Sequence, residues 1–545
     1  MLKTQSAGEP AAATSVAQYD AVVVGAGFAG MYTLHRLRQA GLSVRVIEAA
    51  PQVGGTWFWN CYPGARVDVE SLSYSYSFSP ELQQEWSWKQ AYAPQAELLE
   101  YADHVAQRFD LHRDIQFETR VVSTTYSAEL DRWTVRTDRG DRITTTYLIM
   151  AVGCLSATNV PDFPGLGSFA GSWHHTSRWP REGVDVTGKR VGVVGTGSTG
   201  IQAIPVLAED AGHLYVFQRT PNYSLPSKNS PMDPERERDW KANYDEHRAF
   251  ARMSPTGSNI GLLRDISALS VSDAERSRIY EEAWRIGGSQ LLRSFNDIAV
   301  DPEANETAAE FVRAKIRQIV RDPDTAELLT PRDYPIGTKR ICLDTGYYET
   351  YNRDNVTLVD VRSDPIEEIT PQGLRTSAEH YPLDVLVFAT GFDAMTGPLL
   401  EMEVTGRDGL ALRDKWAAGP RTYLGVMTAG FPNMFMVTGP GSPSVLSNMT
   451  TSIEQHVDFI ADAIEHLRAS GAARIEPTVE AEDSWVEHVN EVADRTLYKR
   501  ANSWYLGANI PGKPRIFMPY AGGVGTYRQV CETVVAKGYD GFALQ

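Results

Sequence analysis

The chain has 545 residues, more than one hydrophobic core organises, so two or three domains are expected. Hydrophobic residues make up 42% and charged residues 22%, the balance of a globular protein, and no apolar run is long enough for a membrane span. A formal charge of −17 argues against nucleic acid and against an anionic membrane surface as partners, and any phosphate site must be locally basic.

Residues 1–18 are rich in Ala, Thr and Ser without an apolar signal core, and they read as a disordered tail. Next comes the apolar run AVVV and the loop Gly25-Ala-Gly27-Phe-Ala-Gly30, which opens into a helical pattern. This is a dinucleotide loop. A Cβ at Gly25 or Gly27 would block the turn or the phosphate, and Gly30 lets helix and strand pack closely. The following strand, SVRVIEAA, carries Glu48, whose carboxylate suits an adenosine ribose and repels a 2′-phosphate. The first site therefore reads as FAD. An aromatic stretch with Gly54-Gly55-Thr56-Trp57, Tyr62-Pro63-Gly64, Arg66 and Asp68 follows, then strand-like segments to Gly153.

FAGSWHHTSRWP, residues 169–180, stands just before a second loop, Gly195-Thr196-Gly197-Ser198-Thr199-Gly200, which again follows an apolar run (VGVV). Past it, HLYVFQRT ends in Arg219 and Thr220 where the first site has an acid. An arginine there suits a 2′-phosphate, so this site reads as NADPH. Two such loops in one chain bring a flavin and a nicotinamide together. The expected fold is α/β, with two Rossmann-like dinucleotide-binding domains and a helical insertion in the second. The flavin domain takes residues 19–155 and 385–545, the NADPH domain 156–222 and 336–384, and the charged helical stretch 223–335 is the insertion. The four cysteines (Cys61, Cys154, Cys342, Cys531) are too scattered for a zinc site or a disulfide framework, which suggests a reducing cytoplasm and no metal.

The stretch 169–180 matches Phe-x-Gly-x-x-x-His-x-x-x-Trp-Pro at Phe169, Gly171, His175, Trp179 and Pro180. With the Gly54–Asp68 pattern, it makes the chain resemble the type I Baeyer–Villiger monooxygenases over nearly its whole length, most of all those acting on phenylacetone and steroids. The resemblance implies FAD, NADPH and O2, and a ketone converted to an ester or lactone through a C4a-peroxyflavin. It implies that Arg340, in Gly337-Thr338-Lys339-Arg340, stabilises the anionic oxygen, oriented by Asp68, with Arg66 shaping the pocket. Lys339 joins Arg219 and Thr220 at the 2′-phosphate. Gly55, Thr56, Trp57, Thr196 and Ser198 belong to the cofactor sites, and Trp504 closes over the nicotinamide. Cys154, Leu155, Ser444, Val445, Leu446 and Met449 are the expected ketone pocket. His175 is a linker residue and not a base. The chain is expected to be a monomer, with a weak dimer as the alternative. Three other readings compete: a flavin monooxygenase acting on nitrogen or sulfur, whose fingerprint lacks the Trp-Pro ending; a disulfide reductase, which needs a cysteine partner for Cys61; and a redox-sensing binding protein.

Overall fold

The computed structural model describes residues 16–260 and 263–545. The expected tail lies outside the described residues as far as residue 15, and its last two positions already belong to the first strand, Ala17–Val24. That strand ends in four buried residues whose side chains alternate between two cores. Ala21 and Val23 enter one apolar cluster, Val22 and Val24 the other. Burial on both faces is what a parallel strand in an α/β sheet requires.

Eight strands form the first sheet, in the order Glu403–Thr405, Val121–Ser127, Arg132–Thr137, Arg142–Met150, Ala17–Val24, Val44–Ile47, Ile115–Gln116, with Met434–Met436 added beside Arg142–Met150. The five-stranded second sheet is wholly parallel and runs Val356–Asp360, His213–Gln218, Arg190–Val194, Val385–Phe388, Ser172–His175. Here one expected boundary moves. The sequence pattern puts residues 385–388 with the returning flavin segment, yet Val385–Phe388 pairs in register with Val191–Val194. Its side chains again split between two cores, so the run is stable only as an internal strand of this sheet.

Among the described residues, 223–335 hold five α-helices, Pro234–Ala242, Tyr244–Met253, Asp273–Ile286, Pro302–Ile319 and Pro323–Leu328. Three of them start with Pro at the first position behind a capping Asp (Asp233, Asp301, Asp322), which meets unpaired backbone N–H groups. The excursion is not purely helical. It opens with the short strand Ser224–Pro226, which pairs in parallel with Cys342–Asp344. This ladder returns the chain beside its point of departure and fixes Arg340 two residues before the second strand. Further on, Met449–Ser470 forms the longest helix and packs on the first loop's helix, Phe28–Gln39, with Tyr32 Oη donating to Asp458 at 2.7 Å. Among the described residues no helix is long and apolar enough to cross a membrane.

Gly171 of the 169–180 stretch sits where a Cβ would lie 2.4 Å from the Asp384 carbonyl oxygen and 2.7 Å from the Phe169 ring. Gly171→Ala should therefore cost about 1–3 kcal/mol. The expected outcome is a lowered urea midpoint with the flavin content of the folded fraction unchanged.

Candidate active site

The two loops solve the same steric problem in the same way. Gly25 and Gly195 take positive φ (101° and 109°), and a Cβ on either would lie 2.6 Å from a carbonyl oxygen of the neighbouring strand's end, Ala151 or Ala389. Gly30 and Gly200 leave no room between helix and loop, since a Cβ would fall 1.8 Å and 2.3 Å from the carbonyls of Gly25 and Gly195. The third pair differs. A Cβ on Gly27 would meet Gly55 at 3.4 Å, whereas one on Gly197 faces open space. Both helices begin at a glycine without a side-chain cap and have no acid in the first turn. Their N-terminal N–H groups and positive dipole ends are thus presented to an anion, so both loops fit a dinucleotide pyrophosphate.

Glu48 is buried, and each of its oxygens accepts one backbone N–H, from Ala26 at 2.6 Å and from Ala50 at 2.7 Å. Each oxygen keeps lone-pair capacity for a ribose hydroxyl. Burial raises its pKa against the pull of these bonds. Thr56 and Trp57 open the short helix Thr56–Trp59, and the Trp57 indole donates to Tyr74 Oη at 3.2 Å. At the second site Thr196 Oγ1 donates to the Thr220 carbonyl at 3.1 Å. Arg219 is exposed at the end of its strand, and Lys339 lies over the Tyr334 ring with Nζ 4.3 Å from the centroid. Burial first, then the neighbouring Arg219 charge, lowers the Lys339 pKa to about 8.

Arg340 and Asp68 meet across 272 residues of chain. Arg340 Nε donates to Asp68 Oδ2 at 2.9 Å and Nη2 to Oδ1 at 2.6 Å, while Nη1 donates to the Val445 carbonyl at 2.7 Å. The Asp68 charge above all holds the guanidinium pKa higher still than usual. Three of its five N–H donors are engaged, leaving one on each terminal nitrogen. The two side chains keep 29% and 26% of their surface exposed, so the pair is only partly covered. The turn before Arg340 is clamped by buried Asn305, whose amide donates to the Ile336 carbonyl at 2.8 Å and accepts from its N–H at 3.0 Å. Sequence reasoning missed this clamp, because nothing near Asn305 in the chain announces it. Arg66 has a pKa lowered by burial and is half-buried two residues before Asp68.

Beside Arg340 a single apolar cluster collects Cys154, Leu155, Val445, Leu446, Met449 and Trp504 from three distant segments. It also contains Met395, Tyr505, Phe517 and Met518, none of which sequence reasoning named. Ser444 departs from its expected place on the pocket wall. It is 0% exposed, and its hydroxyl turns inward to the Thr438 carbonyl at 3.1 Å, with Cys154 Sγ 3.0 Å away. Its left-handed backbone (φ 41°) aims the side chain into the bend. Trp504 is half-buried against Tyr505, with ring centroids 4.4 Å apart.

The histidine of the 169–180 stretch is bound on both nitrogens. His175 Nδ1 accepts from the Ser177 N–H at 3.1 Å, and Nε2 lies 3.3 Å from Thr390 Oγ1. Burial lowers its pKa to about 4, so it is neutral at neutral pH. Trp179 is buried, and its carbonyl accepts from Cys61 Sγ at 3.3 Å. All four cysteines are free, and no group of metal-binding side chains gathers among the described residues.

Residues 19–235 match the pyridine nucleotide-disulphide oxidoreductase family. The chain is 47% identical to a Baeyer–Villiger monooxygenase of Pseudooceanicola batsensis over 96% of each chain. It is 43% identical to a phenazine N-monooxygenase of Lysobacter antibioticus over 96% of this chain and 97% of that one. Among solved structures, oxidised steroid monooxygenase bound to NADP superposes with a TM-score of 0.93 at 56% identity, covering 97% of this chain and 99% of that one. The complex of OTEMO with FAD and NADP gives 0.94 at 41% identity, covering 97% and 100%. FAD and NADP(H) are the cofactors of the chain. The chain is an NADPH-dependent flavoprotein monooxygenase and belongs to the Baeyer–Villiger monooxygenase family.

Proposed function

We propose that the chain oxygenates ketones, of aryl, cyclic or steroid-like form, to esters or lactones, with Arg340 as the cation that faces the reacting oxygen. The first sheet carries the flavin side of the site and the second the NADPH side, with Arg219, Lys339 and Thr220 reading the 2′-phosphate. Bound FAD, reduced by NADPH, supplies activated oxygen from O2. The residues of the chain supply the setting. Attack on a carbonyl builds negative charge on oxygen, and such charge in a dry pocket needs a fixed donor. Arg340 offers two free N–H groups from a guanidinium that stays protonated, and Asp68 fixes their direction without occupying them. The apolar side chains of Val445, Leu446, Leu155 and Met449 exclude water, and Trp504 forms the lid on the nicotinamide side. The observation that carries this reading is the bidentate, partly exposed Arg340–Asp68 pair beside an apolar cluster.

A second reading, oxygenation of nitrogen or sulfur, is favoured by the similarity to a phenazine N-monooxygenase. Transfer to a nitrogen or sulfur lone pair builds no carbonyl oxyanion, so the two readings differ in their need for Arg340. A reductase reading lacks its dithiol, since the cysteines are free and scattered.

Arg340→Ala should lower ester formation from a ketone panel by about a hundred- to a thousandfold, while NADPH consumption continues with release of H2O2. Product mass spectrometry with a peroxide assay checks this; full oxygenation by the variant removes Arg340 from the mechanism, and products from phenazine or thioether substrates alone favour the second reading. Arg219→Ala should raise the KM for NADPH by about tenfold or more and leave that for NADH nearly unchanged, as expected for a lost charge-assisted bond.

Lys339 adds a pH dependence. It is a cation below pH about 8 and loses its charge as pH rises through that value. The NADPH dissociation constant should therefore rise by about three- to tenfold from about pH 7 to about pH 9. Lys339→Arg should abolish the rise, as a titration of the flavin absorbance would report.

A further inference from the structure

The helix Ser198–Asp210, whose N-terminus closes the second dinucleotide loop, is bonded to the chain two residues away from each member of the Arg340–Asp68 pair. On one side Gln202, one turn into the helix, accepts from Tyr62 Oη at 2.8 Å and donates to the Arg66 carbonyl at 3.1 Å. The fit there is tight, since a Cβ on Gly64 would fall 2.2 Å from the Gln202 carbonyl. Arg66 lies two residues before Asp68. On the other side the first residue of the helix, Ser198, accepts from the thiol of Cys342 at 3.2 Å. Cys342 also accepts from Asn222 at 3.3 Å and lies two residues after Arg340. The thiol is buried, and burial pushes its pKa up to about 12, so it stays a neutral donor.

We propose that this helix couples occupancy of the second dinucleotide site to the placement of the Arg340–Asp68 pair, with Gln202 and Cys342 as its positioning residues. A dinucleotide phosphate at the helix N-terminus fixes the helix end. The helix then fixes two short stretches of chain, each too short to absorb a shift of its anchor before it reaches the pair. An occupied second site thereby keeps Arg340 aimed. Such coupling is reciprocal in binding free energy, so loosening the link must also weaken NADP+. Neither residue touches the reacting atoms.

The inference rests on the reading of Arg340 given above, but its main test is a binding titration that reports on the helix whether or not Arg340 faces oxygen. In the FAD-loaded enzyme, Gln202→Leu and Cys342→Ala should each raise the NADP+ dissociation constant by about three- to tenfold, the loss of one to two hydrogen bonds, read from the flavin absorbance. Both should raise the share of NADPH electrons that ends as H2O2. Cys342→Ser keeps a hydroxyl donor and should recover both values. In an Arg340→Ala background, Gln202→Leu should change NADP+ affinity by less than about twofold, as for a residue that acts through the pair. A lowered unfolding midpoint with native NADP+ affinity would mean that Gln202 only packs the helix, and a full effect persisting without Arg340 would mean direct contact with the dinucleotide. Either result overturns the coupling.

Discussion

A guanidinium useful to a developing oxyanion has to be held by a carboxylate without being consumed by it. The Arg340–Asp68 contact meets this condition through geometry. Asp68 takes one edge of the planar fork, Nε and Nη2, and the Val445 carbonyl takes one hydrogen of Nη1. One N–H on each terminal nitrogen stays uncommitted, and the pair keeps enough exposure to meet a ligand. A lysine in the same place would offer a point charge that rotates toward Asp68. The rest of the architecture brings residues 68, 340 and 445 to one point from three distant parts of the chain. The short ladder Ser224–Pro226 with Cys342–Asp344 returns the helical excursion to that point, and Asn305 sets the turn that delivers Arg340.

The two dinucleotide loops show how far one backbone solution can be reused. Gly25, Gly30, Gly195 and Gly200 answer the same steric demands with nearly the same clearances. The difference lies beyond the next strand. In the first site Glu48 is buried and tied to the loop's own N–H groups. In the second, Arg219 and Lys339 stand close enough for each charge to bear on the other, and among the described residues neither has a carboxylate within ion-pair distance. A protein of net charge −17 therefore keeps a local cationic site, and screening by salt should act on the exposed Arg219 more than on the half-buried Lys339.

Much of this was legible in the sequence, and for a definable reason. A glycine that a Cβ would drive into a carbonyl leaves a local mark, so the two loops and Gly171 can be read one residue at a time. The short continuous apolar runs AVVV and VGVV, buried on both faces, are also local marks. The remaining features depend on partners far away in the chain. VLVF at 385–388 reads equally well as a strand of either sheet, and only its pairing with Val191–Val194 decides. Nothing around Asn305 or Gln202 distinguishes them from other helical amides, because what they bond to lies 31 and 136 residues away. His175 is a contrasting case. The family resemblance marked it out, and its two bonded nitrogens give it a structural place in the linker.

The bend that carries Val445 shows why pocket and cation are hard to alter separately. Three non-glycine residues with positive φ surround Cys154: Met395 at 67°, Thr438 at 55° and Ser444 at 41°. Each such conformation costs about 1–3 kcal/mol and persists only where neighbours over-determine it. Here the neighbours are one another. Met395 N–H donates to the Cys154 carbonyl at 2.8 Å, Cys154 Sγ donates to the Thr438 carbonyl at 3.4 Å, and Ser444 Oγ donates to the same carbonyl at 3.1 Å. This strained knot sets the direction of the next residue, whose carbonyl receives Arg340 and whose side chain joins the apolar cluster. A substitution that acts through this bend therefore also moves a support of the guanidinium, whereas Leu155 and Met449 belong to the apolar cluster from outside the knot.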